Sequence, residues 1–388
     1  MGDINALFTE ISERLAASGP DEALQVLGEA LLSDKRYHDL FDVRRMQCRC
    51  RLGLSVAPEV DLDDLQEPLR GQVEEGYLAA CREVGQLLLA DGHVRHAWMY
   101  LRTSGDDQMM REGLAGIEST EANIDEIIEA TVYEGVDPAS GFRLLLSHYG
   151  TCNAITTFES AMTGRRPDER REVAEILVKW LHDELLRNLL ASFEGEVEEP
   201  AERSVALRQL VEGCDEIFGQ YTVHVDASHL SSVVRFARLL ESREGLELAL
   251  DLTEYGLRLH ENFQYAGEVP FEETYRSHHY LFGAQLGHNV DEAVDYFRQR
   301  AETAEVGTDG TLPAETYLLL LARLGRFQEA VEAHLKLLPA GVQTSGFGPT
   351  VLELSRQSGE FAELLAAYRE HDDVVGFAVG KIEEYLKQ

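Results

Sequence analysis

Apolar residues recur along this chain at the three- and four-residue spacing of a helix that buries one face. The segment REVAEILVKWLHDELLRNLL shows this pattern most fully, with a stripe made of Val173, Ile176, Leu177, Trp180, Leu181, Leu185 and Leu189. Pro167 and the two acidic residues after it are typical of a helix start, because proline is tolerated in the first turn and acids favour the positive end of the helix dipole. No segment alternates polar and apolar residues convincingly as a half-buried strand would. The pattern therefore predicts an all-α protein.

Several of these helices come in pairs that share one shape. A glycine ends the first helix, a few residues turn, and an acid-Ala-apolar entry opens the second, as in LGRFQEAVEAHLKLLP at 324–339 and SGPDEALQVLGEALL at 18–32. Small residues such as Ala293 and Ala330 suit the close packing of two antiparallel helices. The pairs recur at nearly equal intervals over 286–370, which predicts antiparallel helix pairs stacked into a curved α-solenoid.

These units resemble the tetratricopeptide-repeat family. The residues that carry the match best are Leu324, Gly325, Phe327, Ala330 and Pro339. The resemblance is good over 286–370, partial over 3–55 and 240–260, and absent from 131–230. It implies a superhelix with a concave groove that binds a protein or peptide. It implies no particular chemistry, because such folds host many functions.

The chain is long enough for two or three domains. The segment FEGEVEEPAER at 193–203 is acidic, carries a glycine and a proline, and follows a long helix, as a linker would. We therefore predict an N-terminal helical region over 1–200, which includes a non-repeat segment at 131–169. A C-terminal helical-repeat region follows over 201–388.

Composition adds a large negative charge. The chain has 70 acidic against 35 basic residues, for a net charge of −35. Such a field repels phosphate backbones and anionic lipids, so nucleic acid and membrane are not expected as partners. Two explanations stay open: adaptation to a salty or GC-rich host, and an acidic surface for a basic partner. The spread of acids along the whole chain favours the first.

The same sequence indicates a compartment. No stretch approaches the roughly 20 apolar residues of a membrane span, and the N-terminus lacks the basic and apolar regions of a secretory signal. The five cysteines are scattered, and Cys48 and Cys50 match neither a redox motif nor a zinc site. We expect reduced thiols and a cytoplasmic protein.

The non-repeat segment concentrates Gly, Thr, Ser, Cys, Asn and His where a repeat would place Ala and Leu. Loops on a rigid scaffold often carry functional sites. His148, Cys152 and Asn153 form a candidate catalytic set, because a cysteine close to a histidine suggests thiolate catalysis. The structural alternative is a junction between two helices, the first of which starts at Pro138 and ends at Gly150.

The stretch HVDASHL offers a candidate metal site. His224, Asp226 and His229 supply the nitrogen and oxygen ligands that zinc or another divalent ion accepts. On a continuous helix, residues five apart point about 140° away from each other. The set therefore needs an extended segment followed by a helix that begins near Ser228, as the β-branched residues before it favour. The alternative is that Asp226 only caps this helix.

A third polar cluster lies in YRSHHYLFGAQLGH, where Tyr275, His278 and His279 are candidate groove residues. Polar and aromatic residues on the first helices of repeat pairs commonly line the concave surface of a repeat array. Adjacent residues on a helix point about 100° apart, so one of the two histidines at most would face a given groove. The alternative is ordinary packing and solvent exposure.

Two functions follow from these patterns. The first is a scaffold that binds a protein or peptide in its concave groove. The alternative is an enzyme on a helical-repeat scaffold, with a His/Asp site in the central groove that depends on a divalent metal such as zinc. The chain has no Walker loop, no G-x-S-x-G and no H-E-x-x-H. That absence favours the scaffold.

Overall fold

The computed structural model describes residues 4–57, 62–192, 203–213, 218–219, 222–339 and 341–387. These residues contain helices and connecting segments and no strand; a single antiparallel bridge joins Ala266 and Glu273. The predicted all-α class is confirmed over this part of the chain. Within it, no helix combines the length and the apolar character needed to cross a membrane.

Backbone contacts divide the chain into two compact units, 1–150 and 151–388. The predicted linker at 193–203 lies outside the described residues except at Arg203. The predicted division near residue 200 stays a prediction.

The first unit is built from short helices in sequence. They are α1 (Ile4–Ser18), α2 (Pro20–Ser33), α3 (Tyr37–Arg51), α4 (Leu69–Ala90), α5 (Val94–Ser104), α6 (Asp107–Leu114) and α7 (Ile124–Ile128), with a 3₁₀ turn at Leu62–Asp64 and a π-helical turn at Glu129–Tyr133. Each of the first five packs against its neighbour in the chain. One core of this unit includes the fully buried Leu40, Val84, Leu101 and Met110, which belong to α3, α4, α5 and α6.

A long helix, α8 (Pro138–Ala161), spans the boundary between the units and changes direction inside. It begins where the sequence predicts, because the backbone N–H of Ser140 donates to the Asp137 carboxylate at 3.1 Å. Gly150 interrupts it with φ 78° and ψ 178°, a conformation that a side chain would strain. The predicted helix end at Gly150 is therefore a real break in the backbone.

The second unit contains the remaining helices. They are α9 (Pro167–Ser192), α10 (Arg203–Gly213), α11 (Ala227–Phe236), α12 (Arg243–Arg258), α13 (Thr274–Gln285), α14 (Val290–Thr303), α15 (Val306–Asp309), α16 (Leu312–Arg323), α17 (Phe327–Leu337), α18 (Val351–Ser358), α19 (Ala362–Glu370) and α20 (Val374–Leu386), with 3₁₀ turns at Ala237–Leu239 and Glu261–Phe263.

Neighbouring helices of the second unit pack in pairs, among them α12 with α13, α16 with α17, and α19 with α20. Ala293 and Ala330 are fully buried, as expected for small residues at close helix contacts. The predicted stripe of α9 is buried at Val173, Leu177 and Leu181. Helices that are adjacent in the chain therefore pack together in the region where the sequence predicts repeat units.

Candidate functional site

The candidate catalytic residues lie on both sides of the break in α8. His148 precedes Gly150 and belongs to the first unit, whereas Cys152 and Asn153 follow it in the second. All three side chains are exposed. The predicted helix junction is present, and the catalytic role of the three residues stays a prediction.

Asp226 caps α11, as the structural alternative for HVDASHL predicts. Its carboxylate accepts hydrogen bonds from the backbone N–H groups of Ser228 at 2.8 Å and His229 at 3.3 Å, and from the Ser228 hydroxyl at 2.5 Å. These bonds hold the pKa of Asp226 below its usual value, and the bond from the Ser228 hydroxyl has the largest effect. Burial acts in the opposite direction. The carboxylate thus satisfies donors that the first helical turn leaves unpaired.

His224 lies before the cap, and it contacts Tyr255 of α12 and Asn188 of α9. Its backbone N–H donates to the Tyr255 hydroxyl at 2.9 Å, and its Nδ1 lies 3.0 Å from the same hydroxyl. Burial lowers the pKa of His224 and raises that of Tyr255 to about 12. Among the described residues no group of three or more His, Cys, Asp or Glu side chains is arranged to hold a metal ion. Metal binding by His224, Asp226 and His229 stays a prediction.

The three candidate groove residues lie in different surroundings. Tyr275 and His278 are buried, and the Tyr275 ring packs against the backbone of Gly256 in α12. His279 is half-buried, its Nδ1 lies 3.2 Å from the Thr253 hydroxyl, and it lines a surface cavity of about 690 Å³. One of the two adjacent histidines therefore faces a cavity and the other faces the core.

A buried polar network, which the sequence patterns did not indicate, joins α9, α10 and α12. His182 Nε2 lies 3.4 Å from Asp251 Oδ2, and Arg208 donates to Asp251 Oδ1 at 2.8 Å. Glu254 lies 3.6 Å from the same guanidinium, and burial raises its pKa. His182 and Asp251 are fully enclosed, whereas Arg208 and Glu254 are partly exposed, so the network joins three helices around a buried carboxylate. Such a network leaves no local sequence signal, because its members are far apart in the chain.

The second unit also carries a large groove, which we call the acidic groove. Its cavity of about 960 Å³ lies between α17 and α19, and part of its wall is formed by Leu338, Pro339, Gly341, Val342 and Thr344. Its apolar surface comes from Leu335, Leu338, Pro339, Val342, Val351, Leu364, Ala366, Ala367 and Tyr368. This mixture of an open cavity and an apolar surface is typical of binding sites.

The carboxylates that line the acidic groove have no Lys or Arg beside them in its described lining. Glu332, Glu363, Glu370 and Asp373 line it, and none of the described lining residues is Lys or Arg. His334 and His371 also line it, and burial lowers the pKa of the His334 imidazole, so His334 adds no positive charge at neutral pH. The groove is therefore complementary to a basic ligand.

This groove is not predicted from the sequence, because its residues lie on helices that fit the repeat pattern. One signal was available: Glu363, Ala366, Ala367 and Glu370 fall three or four residues apart and so share one face of α19. That face is open to solvent at both acids. An acidic face with small residues at its centre leaves room for a ligand.

Comparison of the chain with protein-family models, with curated proteins and with solved structures found no match.

Proposed function

We propose that this protein is an α-solenoid of the tetratricopeptide-repeat type that binds a basic, partly apolar peptide of a partner protein in the acidic groove. The observation that carries the proposal is a groove with an apolar floor, four acidic side chains and no Lys or Arg among its described lining residues. Peptides with Lys or Arg beside apolar anchors would bury those anchors and keep their charges near carboxylates.

The paired packing of α16 with α17 and of α17 with α18 supports the solenoid part of the proposal. In such an array, a binding groove is formed by helices that are close in the chain. Here α17 and α19 form the groove, and α18 lies between them in the sequence. The −35 net charge supports the basic class of partner, because it steers cations toward the protein from a distance.

Peptide selection tests the proposal directly. Peptides selected from a random display library on the full chain should be enriched in Lys or Arg next to Leu, Ile or Phe. The double variant Glu363→Gln/Glu370→Gln should weaken the Kd of a selected peptide about fivefold, since two exposed charges that contribute about 0.5 kcal/mol each sum to about 1 kcal/mol. Leu335→Ala, which shortens an exposed apolar wall, should also weaken it.

The matched control is Glu13→Gln/Glu360→Gln, which removes two exposed charges outside the groove. The Kd of the peptide for this control should stay within twofold of the parent value. That result would separate direct contacts in the groove from the long-range effect of the protein's net charge. Selected peptides without basic enrichment, or equal losses in both double variants, would contradict the proposal.

The alternative function, an enzyme with a His/Asp site, rests on the sequence pattern around His148 and His224. It remains a second hypothesis. The metal content of the protein and of its His224, Asp226 and His229 variants tests the metal-dependent form of this hypothesis.

A further inference from the structure

A second cavity in the same unit has the opposite charge character. It measures about 450 Å³ and lies between α11 and the segment that precedes α13. One face of α11 and the turn after it line the cavity with Ser228, Ser231, Ser232, Arg235 and Arg238. Tyr265, Ala266, Gly267, Glu268 and Thr274 line the remainder. Two arginines with serine hydroxyls form a concentrated set of hydrogen-bond donors in a strongly acidic protein.

Arg238 is the inner cation of this cavity, with a side chain only 11% exposed. Its Nε donates to His278 Nε2 at 2.7 Å, and its guanidinium carbon lies 3.7 Å from the centre of the Phe271 ring. Phe271 in turn stacks on His278, with ring centres 4.3 Å apart. The guanidinium is therefore fixed in orientation by an aromatic face and a ring nitrogen.

The hydrogen bonds of His278 define its protonation state. Because Arg238 Nε is always a donor, His278 Nε2 accepts, and Nδ1–H donates to the Thr274 carbonyl at 2.5 Å. Burial first, and the nearby Arg238 second, keep the pKa of His278 well below its usual value. The imidazole is therefore neutral and leaves the positive charge of Arg238 uncompensated.

No buried carboxylate neutralises Arg238 within the described residues. Glu268 lies 4.0 Å from Nη1, beyond hydrogen-bond distance, and its own side chain is 71% exposed. Burial lowers the pKa of Arg238 to about 10, so the group stays charged at neutral pH. A buried cation without a hydrogen-bonded anion is costly, and a bound anion removes that cost.

The outer part of the cavity adds further donors. Arg235 Nη2 lies 3.0 Å from the Ser232 hydroxyl oxygen and 3.2 Å from Glu159. Because the Ser232 oxygen accepts this bond, its own hydrogen is available to a ligand. The Ser228 hydroxyl is already bonded to Asp226 and does not contribute.

We propose that this cavity is a phosphate-binding site, which takes free phosphate or the phosphate group of a small molecule. Arg238 holds one oxygen at the base, and Arg235 and the Ser232 hydroxyl bind the others at the mouth. Arginine's fixed fork of donors suits phosphate oxygens, and the cavity volume is that of a small-ligand site. The net charge of −35 keeps large polyanions away, so the ligand is small.

Calorimetric titration of the full chain tests the site. The probes are inorganic phosphate and glucose 6-phosphate, with glucose and sodium chloride as controls at constant ionic strength. We expect saturable one-to-one binding of at least one phosphate probe. Tighter binding of the phosphosugar would identify an organic phosphate as the source, and tighter binding of inorganic phosphate would identify the free ion.

Arg235→Gln leaves the buried part of the site intact and should weaken phosphate binding about tenfold or more, the scale of one charge-assisted hydrogen bond. Arg238→Lys keeps the charge but loses the fork, so it should weaken binding to a similar degree. Arg243→Gln makes the same charge change as Arg235→Gln at an exposed position outside the cavity, and it should leave binding unchanged. The proposal is overturned if neither phosphate probe binds saturably, or if binding survives both cavity variants.

Discussion

The carboxylate of Glu315 in α16 accepts a hydrogen bond from the backbone N–H of Phe347, 2.8 Å away. The same carboxylate accepts from the backbone N–H groups of Ser345 at 2.8 Å and Gly348 at 3.0 Å, and from the Thr311 hydroxyl at 2.6 Å. Glu315 is 1% exposed, so four donors hold one buried charge. This cluster joins the segment before α18 to α16, and the start of that segment walls the acidic groove.

Loss of the Glu315 charge should destabilise the protein. In Glu315→Gln one oxygen becomes an NH₂ group that faces backbone donors, so the expected loss is about 2–3 kcal/mol of unfolding free energy, the scale of hydrogen bonds to a buried charge. Urea denaturation measures it. Glu360→Gln, an exposed acid-to-amide change, should stay within about 0.5 kcal/mol of the parent. Equal midpoints for the two variants would contradict this account.

The effect of Glu315 should also depend on pH. Burial opposes ionisation of this carboxyl, but hydrogen bonds from Thr311, Gly348 and Ser345 outweigh burial and hold its pKa below the usual value. A lowered folded-state pKa stabilises the protein above the unfolded value, and that contribution disappears as pH falls through the folded value. The stability gap between parent and Glu315→Gln should therefore narrow below about pH 4. A gap that widens in acid would show that the neutral carboxyl is the stabilising form.

Two helical glycines should respond oppositely to alanine. A Cβ on Gly256 would lie 2.3 Å from the buried Tyr275 ring, whereas one on Gly283 would meet its nearest neighbour, His288, at an ordinary 3.7 Å. Gly256→Ala should cost about 1–3 kcal/mol through overpacking. Gly283→Ala should gain about 0.5–1 kcal/mol from helix propensity. Thermal melting measures both, and a stabilised Gly256→Ala would mean that α12 and α13 do not pack closely here.

Asp226 should matter for stability through its cap. Asp226→Ala is expected to lose about 0.5–2 kcal/mol, while Asp226→Asn, which keeps an acceptor, should lose much less. Chemical denaturation of both variants measures the difference. Equal losses in the two would indicate that the negative charge, not the cap, is the stabilising feature.

Metal content tests the other role of this stretch. If His224, Asp226 and His229 bind a divalent ion, protein purified without chelator or affinity tag should carry about one equivalent. His224→Ala, Asp226→Ala and His229→Ala should each lose it, as elemental analysis would show. A cap alone predicts a destabilised Asp226→Ala and no metal in the parent or in any variant.

Added salt should stabilise the fold. The chain has 35 more acidic than basic residues, and these negative charges repel one another in the compact state. Salt screens that repulsion, with a Debye length of about 10 Å at 0.1 M. The melting temperature should rise as NaCl increases from low values. A flat or falling melting temperature would show that charge repulsion is not a significant cost.

The sequence by itself determined the helical class and several helix ends. Pro138, Pro167, Asp226 and Gly150 lie at the predicted starts, cap and break. These features depend on residues within about four positions of each other, because caps and helical periodicity are local. For the same reason, the sequence alone predicts that His224, Asp226 and His229 lie near a helix start. It also offers the Asp226 cap as the alternative to metal binding.

Only the tertiary structure decided which polar residues are buried and what they contact. His278 and His279 are neighbours in sequence, yet one lies beneath Arg238 and the other at a cavity. Glu315 meets backbone donors about thirty positions later in the chain. Pairing at this separation depends on how helices pack, and packing is set by many weak contacts among distant residues rather than by any local motif. The acidic groove and the cavity lined by Arg235 and Arg238 follow from that packing, and no single stretch of sequence specifies either of them.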